Sequence, residues 1–261
     1  MVVSAWSYRR FIWENAWRDL WYRFAGSTMG FLWNVINPLS QILIYTIVFS
    51  KMMHTKIPSL PSEFGFAIYL CAGLIPWIGF NETVTRCAGS FIENSNYLKK
   101  LAIPEQVFVL QNACSNLLSL IISMSIFIVI CCLLGHYPSW SWIMIPVTLL
   151  LLQGFALGIG LFLAVMNAFF RDVSHMLVIV LQIWFWMTPI VYVETSLPDW
   201  CRQALVFNPL YHFIHAQQSI IVENAWPDIA SFVYMAIPAI LFPIVGYVVL
   251  NKLRSEIRDV L

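Results

Sequence analysis

The side chains in this sequence that could do chemistry are aromatic planes and amides set into apolar stretches. Tyr45, Tyr69, Trp77, Phe80, Gln111, Asn112, Asn116, Gln153, Gln182, Trp184, Phe185 and Trp186 all fall within long hydrophobic runs. Sugar rings carry apolar C–H faces and hydroxyl edges, and aromatic planes with scattered amides suit both. Tyr45, Trp77, Phe80, Trp184, Phe185 and Trp186 are the candidates for such a lining. Tryptophans near span ends also form an interfacial belt, and for Trp77 and Trp186 both readings stand. Other chemistries lack their residues. None of the lysines follows a glycine, so no G-x-x-x-x-G-K-[ST] phosphate loop can be written, and neither H-E-x-x-H nor G-x-S-x-G occurs. His212 and His215, with Glu223 and Asp228 downstream, make a weak metal set. A solvated or capping role is the expectation for them, with no metal bound. Glu82 and Arg86 lie one turn apart at the inner end of an apolar run and can pair there. No charge sits near the centre of any run, which weighs against ion-coupled transport. It also weighs against an enzyme, which needs an acid or base pair at the membrane face. A non-catalytic chain that binds no cofactor itself is expected.

The elements that must position these residues are membrane helices. Of 261 residues, 60% are hydrophobic and 10% charged, against about 25% charged in a soluble domain. A spanning helix needs roughly 20 apolar residues to cross about 30 Å of hydrocarbon. Six runs meet or approach that need: Val35–Met53, Phe64–Phe80, Val107–Leu134, Trp142–Val165, Met176–Ile190 and Phe232–Leu250. The expected fold is one all-α integral membrane domain over residues 1–261, with six transmembrane helices. The first run starts too late, and behind too many aromatics, for a cleaved signal peptide. An even number of spans puts both termini on one side. Arg9, Arg10, Arg18, Arg23, Arg86, Lys99, Lys100, Arg171, Lys252, Arg254 and Arg258 fall on that side, leaving only Lys51, Lys56 and Arg202 opposite. The positive-inside rule makes the richer side, and so both termini, cytoplasmic. A net charge of +1 gives no reason to expect a nucleic-acid partner. The six cysteines show no metal spacing and no disulfide framework.

Residues 4–24 have helical period. Trp13, Trp17, Leu20, Trp21 and Phe24 share one face, and Arg10, Glu14 and Arg18 another. Such a helix can lie in the headgroup plane or pack on the protein's own core, and the tryptophans favour the first. Between the second and third runs, Gly89–Gln106 is too polar to insert and too patterned for a slack loop, so a short amphipathic helix is expected. Between the fifth and sixth, Pro198 and Pro209 look like first-turn prolines and Asn208 like an N-cap. Two short helices over about 199–206 and 210–223 follow, the second with Leu210, Phe213, Ile214, Gln217 and Ile221 on one face. They can dip part-way into the bilayer where protein covers them. Gly154 and Gly158 form a small-x-x-x-small pair expected to make helix contact within one subunit.

The segment Arg23-Phe24-Ala25-Gly26-Ser27-Thr28-Met29-Gly30-Phe31-Leu32-Trp33, followed by Pro38, resembles the opening of ABC transporter permeases that export O-antigens, capsules and teichoic acids. That family begins with Arg-Tyr-Arg-x-Ser-x-Leu-Gly-x-Leu-Trp, so Arg23, Ser27, Gly30 and Trp33 match, while Phe24, Ala25 and Met29 depart. The resemblance continues through Asn94, Leu98, Lys99, Lys100, Pro104 and Glu105, Phe170-Arg171-Asp172, Pro189 and Asn208-Pro209-Leu210. It is closest to the O-antigen export permeases. It implies a cytoplasmic interfacial helix (1–33), spans 1–5 (34–190), periplasmic re-entrant gate helices (191–230), and a sixth span with a cytoplasmic tail (231–261). Asn94 to Glu105 would be the coupling helix docking on an ATPase, and Asn208 and Pro209 would open the gate. The implied protein is the channel-forming subunit of an ATP-driven exporter of lipid-linked polysaccharide in a bacterial inner membrane. It would be a homodimer with two ATP-binding cassette subunits, which use the ATP and Mg, amid membrane lipids. An exporter of a small lipid or drug, or a non-transporting component of a glycan-assembly enzyme, are the alternatives.

Overall fold

The structure, a computed structural model, describes residues 7–23, 26–52, 64–100 and 103–260, and the side chains of these apart from 49–52 and 258–260. Phe24, Ala25, Met53 and Lys56 of the sequence reading lie outside the described residues. Every regular element among the described residues is helical. α1 is Arg9–Tyr22, α2 Trp33–Met52, α3 Gly65–Glu93, α4 Ser95–Lys100 and α5 Gln106–Leu133. α6 is Ile145–Phe169, α7 Val173–Trp186, α8 Asp199–Leu205, α9 Pro209–Gln218 and α10 Ile229–Val260.

Five stretches are long and apolar enough to cross a membrane: Gly30–Val48, Gly65–Glu93, Gln106–Leu133, Trp140–Phe169 and Ile229–Ile257. The sixth expected span is shorter. The run Met176–Ile190 carries α7, whose 14 residues rise about 21 Å against about 30 Å of hydrocarbon. Pro189 is the physical reason, because it has no N–H to donate and disfavours helix at Thr188 before it. The second run extends the other way: α3 continues past Phe80 to Glu93, so the amphipathic helix expected over Gly89–Gln106 is confined to the six residues of α4.

α3 is the central helix. Its buried Phe66, Leu70, Trp77, Phe80 and Val84 pack into one large core with α5, α6 and α9. α10 lies along α6, where a Cβ added to Gly158 would fall 2.3 Å from the backbone nitrogen of Pro243. The two backbones touch there because residue 158 has no side chain, an intrachain contact of the kind expected for this glycine pair. A second core, at the end of the bundle that carries α4, joins Phe91, Leu98, Phe108, Val109, Leu250 and Ile257. The outward faces of α2, α7 and α10 are apolar, with Ile44, Ile47, Val178, Ile179, Ile183, Ile240 and Ile244 exposed. So much exposed aliphatic surface suits hydrocarbon rather than water.

α1 divides its faces differently from the sequence reading. Leu20 turns inward with Ile12 and Ala16, at i, i+4 and i+8, and packs on α5. Trp13, Trp17 and Trp21 stay exposed on a neighbouring face, and Glu14 bonds Arg10, the residue one turn before it. The helix therefore packs on the bundle and presents its tryptophans outward at once. The chain then turns through Gly30, at a φ of +46° that a Cβ would strain, into α2. Trp33 donates its indole N–H to Ser27 Oγ at 2.8 Å, and Asn34 bonds the carbonyl of Leu20 near the end of α1 at 2.9 Å. Arg23, Ser27, Gly30 and Trp33 thus hold the angle between the first helix and the first span.

Candidate functional site

A cluster of ionic and amide groups joins α1, α3 and α5. Arg86 of α3 donates to Asp19 of α1 at 2.8 Å, and Ser115 of α5 donates to the same carboxylate. Arg23 and Arg86 both donate to Asn116 Oδ1, at 2.9 and 3.1 Å. Arg23 lies 3.8 Å from Glu82 and 3.7 Å from Asp19. The expected Glu82–Arg86 pair is therefore replaced: Arg86 turns to Asp19, and Glu82 faces Arg23. The reason is α1, whose acidic residue reaches between the spans and whose position no local spacing specifies. Burial first, and then neighbouring Arg86, pull Arg23 below its usual range, against the attraction of Glu82 and Asp19. Among the described residues, Arg23 Nε, Asn116 Nδ2 and Ser119 Oγ are buried without a hydrogen-bond partner.

This cluster floors a cleft of about 190 Å³ between α2, α3 and α5. Arg23, Glu82, Ser119 and Ser123 line it together with Asn34, Asn37, Gln41 and Tyr45 of α2, and apolar Ile42 of α2 and Leu74, Ile75 and Ile78 of α3 complete the lining. The four α2 residues recur at i, i+3, i+7 and i+11, one face of a helix. From Trp33 to Tyr45 the cleft runs about 18 Å along α2, more than half the hydrocarbon thickness. Amides, hydroxyls and the Arg23–Glu82 pair, with aliphatic groups beside them, suit an amphiphile with a hydroxyl-rich head. The signal was present in the sequence as a polar stripe within an apolar span, and only Tyr45 of it was picked out.

The other aromatic candidates lie elsewhere. Phe80 is fully buried and Trp77 nearly so, and they pack with Phe155, Phe185 and Trp184 at ring distances of 5.5–5.9 Å. Neither lines an open path in this chain. Large rings at positions facing three neighbouring helices fill the core before they can line a surface. Of the consecutive aromatics at the end of α7, Trp184 and Phe185 turn inward and Trp186 stays exposed. The amides follow the same logic: Gln153 accepts from Thr83 at 2.8 Å, and Asn112 bonds the Arg86 carbonyl at 3.1 Å, tying helices together.

At the opposite end, Asn208 caps α9 by accepting from the Leu210 N–H at 3.1 Å, with Pro209 in the first turn. Asn208 also accepts from Trp184 Nε1 at 2.8 Å and donates to Thr188 at 3.0 Å, so it fastens α9 to the end of α7. Leu210, Phe213, Ile214, Gln217 and Ile221 are all buried. Tyr211 donates to Glu194 at 2.7 Å, and burial foremost, then that carboxylate, push the phenol above its usual range. His212 and His215 diverge: the first stacks on Tyr234 of α10, the second lies 3.9 Å from Glu194.

At the end that carries α4, Asn94 bonds the Ser90 carbonyl and ends α3. Leu98 of α4 is buried in the second core, while Tyr97, Lys99 and Lys100 are exposed. Glu105 is fully buried and accepts from Arg254 of α10 at 2.8 Å, beside the half-exposed Pro104. Leu98 and Glu105, read from the sequence as surface for a partner, instead fasten α4 and the start of α5 to the chain's own last helix. The exposed residues of α4 are Asn96, Tyr97, Lys99 and Lys100.

An all-helical bundle with apolar outer faces, a polar cleft between its spans and a short helix held at one end defines a multi-pass membrane protein of the transporting kind. The chain belongs to the ABC-2 type transporter family, which it matches over residues 10–222. It is 27% identical to the O-antigen export system permease protein RfbA of Myxococcus xanthus, over 99% of this chain and 98% of the relative. A protein of the same name from Klebsiella pneumoniae is 28% identical over 94% and 92% of the two chains. The polysialic acid transport protein KpsM of Escherichia coli is 22% identical over 92% and 91%.

Proposed function

We propose that this chain is the channel-forming permease subunit of an ATP-driven exporter that moves a lipid-linked polysaccharide, O-antigen or similar, across a bacterial inner membrane. The observation that carries the reading is the polar stripe Asn34, Asn37, Gln41 and Tyr45 along the first span, under Arg23. Hydroxyls of a sugar exchange hydrogen bonds with such amides without tight binding. The aliphatic part of the lining suits the lipid. Relatives named for O-antigen export and for polysialic acid transport align along nearly the whole length, which supports the same substrate class. Two copies would enclose the path. Two separate ATP-binding subunits, which hold the ATP and Mg, would dock beneath on α4.

The charge asymmetry supports cytoplasmic termini, with α7 and the following 187–193 completing a sixth crossing and α8 and α9 forming a re-entrant gate. The test is mass analysis of the lipids that accumulate in cells lacking this chain. A lipid-linked glycan polymer retained inside, and restored to the surface by the native chain, is expected. Accumulation of a small lipid without sugar repeats, or unchanged surface polysaccharide, would overturn the reading.

A further inference from the structure

α10 touches both ends of the machinery. Its 32 residues rise about 48 Å, so roughly 18 Å of it extends beyond the hydrocarbon. At the cytoplasmic end, Leu250, Arg254 and Ile257 recur at i, i+4 and i+7. Leu250 and Ile257 are fully buried in the core that also holds Leu98 of α4. Between them, Arg254 donates through Nε to Glu105 and through Nη2 to Gln106, both at 2.8 Å. Glu105 and Gln106 open α5 immediately after the α4 segment, and both are buried. At the far end, Tyr234 of the same helix stacks on His212 of α9, with ring centres 4.5 Å apart and planes 6° from parallel. The 20 residues from Tyr234 to Arg254 span about 30 Å. α3 also packs on both α4 and α9, and α10 adds these two side-chain links to it.

We infer that α10 is the transmission rod of the subunit, with Arg254 and Tyr234 as positioning residues that link the cytoplasmic helix α4 to the outer helix α9. A push on the exposed side of α4 passes through Leu98 into the core it shares with Leu250 and Ile257 of α10, and the Arg254 fork ties α10 to the start of α5 beside it. The helix carries it along its axis, and the flat stack on His212 hands it to α9. α6 guides this movement, because its backbone touches α10 at Gly158. The fork matters more than the charge alone: two parallel donors fix the guanidinium plane against the buried carboxylate and amide, whereas an ammonium would hold a point. The inference rests on the reading of α4 as the ATPase-contact helix.

The test uses the whole complex, co-expressed with its ATP-binding subunit and reconstituted in vesicles. Three quantities are read: ATPase co-purification, ATP hydrolysed, and polymer exported per ATP. Arg254→Met keeps the aliphatic stem and removes the fork, and Tyr234→Leu keeps bulk and removes the ring. Each is expected to leave co-purification within about twofold and to lower export per ATP by about tenfold, the factor carried by one lost charge-assisted hydrogen bond for Arg254→Met and by one lost aromatic stack for Tyr234→Leu. Arg254→Lys should recover part of the loss. Because the two contacts act in series, the double variant should fall no further than either single one. Native export per ATP in either single variant overturns the rod, as do losses that multiply in the double variant. Lower insertion with unchanged export per inserted chain also overturns it and leaves Arg254 a folding residue. A separate arm, Lys99→Glu with Lys100→Glu, tests the docking reading: if ATPase co-purification is unchanged there, that reading fails, whatever the rod variants do.

Discussion

Asp19→Leu should loosen the first helix from the bundle, and the structure sets the size of the effect. Asp19 is 2.8 Å from Arg86 and also accepts from Ser115. At that distance, and at an effective dielectric of about 20, the attraction is about 6 kcal/mol before desolvation is counted. The two side chains are 29% and 24% exposed, so water screens part of it and desolvation offsets more. A net coupling of about 2 kcal/mol remains. The single change does more than remove this coupling. It leaves Arg23 and Arg86 with Glu82 as the nearest carboxylate, so Asp19→Leu should destabilise by about 3 kcal/mol. Arg86→Leu relieves that excess, and the double variant should therefore be less destabilised than the sum of the singles by about 2 kcal/mol. Thermal unfolding in lipid nanodiscs, followed by tryptophan fluorescence, measures all four corners, with Trp13, Trp17 and Trp21 on α1 as local reporters. If the two losses add to within about 0.5 kcal/mol, Asp19 and Arg86 do not hold α1, and the account of the cluster fails.

Gly158→Ala forces a methyl to within 2.3 Å of backbone and should cost about 3 kcal/mol, whereas Gly154→Ala meets the Ala239 carbonyl at 3.3 Å and should cost under about 1 kcal/mol. Equal melting temperatures for the two would refute the close approach of α6 and α10. Asn37→Leu with Gln41→Leu should leave insertion unchanged while surface polysaccharide per inserted chain falls by at least about tenfold, from two lost sets of hydrogen bonds; unchanged export would remove the α2 stripe from the path. Single cysteines at Ser255 and Ser139, in a background lacking native cysteines, should be protected from and open to an impermeant thiol reagent in spheroplasts, respectively; the reverse labelling would invert the proposed topology.

How far the sequence could be read depended on whether a property was local. Asn208 before Pro209 specifies a helix start by itself, and the cap forms between atoms two residues apart. The apolar runs specify spans in the same way, since length and hydropathy are properties of one segment. Failures came where a distant element decides. Arg86 has Glu82 one turn away, but Asp19, 67 residues earlier, provides the better partner. Leu98 sits among exposed lysines in a polar connection, and it is buried only because Ile257 and Leu250 arrive there at the end of the chain. Phe80 looks like Tyr45 in sequence, an aromatic in an apolar run, yet one is sealed in the core and the other borders the cleft. The Asn34 to Tyr45 stripe is the exception, a local period of 3.6 that hydropathy counting averages away.

The prolines of α10 have a consequence for how the protein is made. Pro243 has no N–H, so the carbonyl of Ala239 loses its intrahelical donor, and that oxygen faces Gly154 of α6. Pro238 frees the carbonyl of Tyr234 in the same way. In bare hydrocarbon, each orphaned carbonyl costs several kcal/mol. α10 leaves the ribosome after α6, and it enters the bilayer with these breaks in its ladder. It becomes a comfortable membrane helix only once α6 is beside it. Insertion of α10 should therefore include a docking step against α6 rather than simple partitioning of a finished helix into lipid.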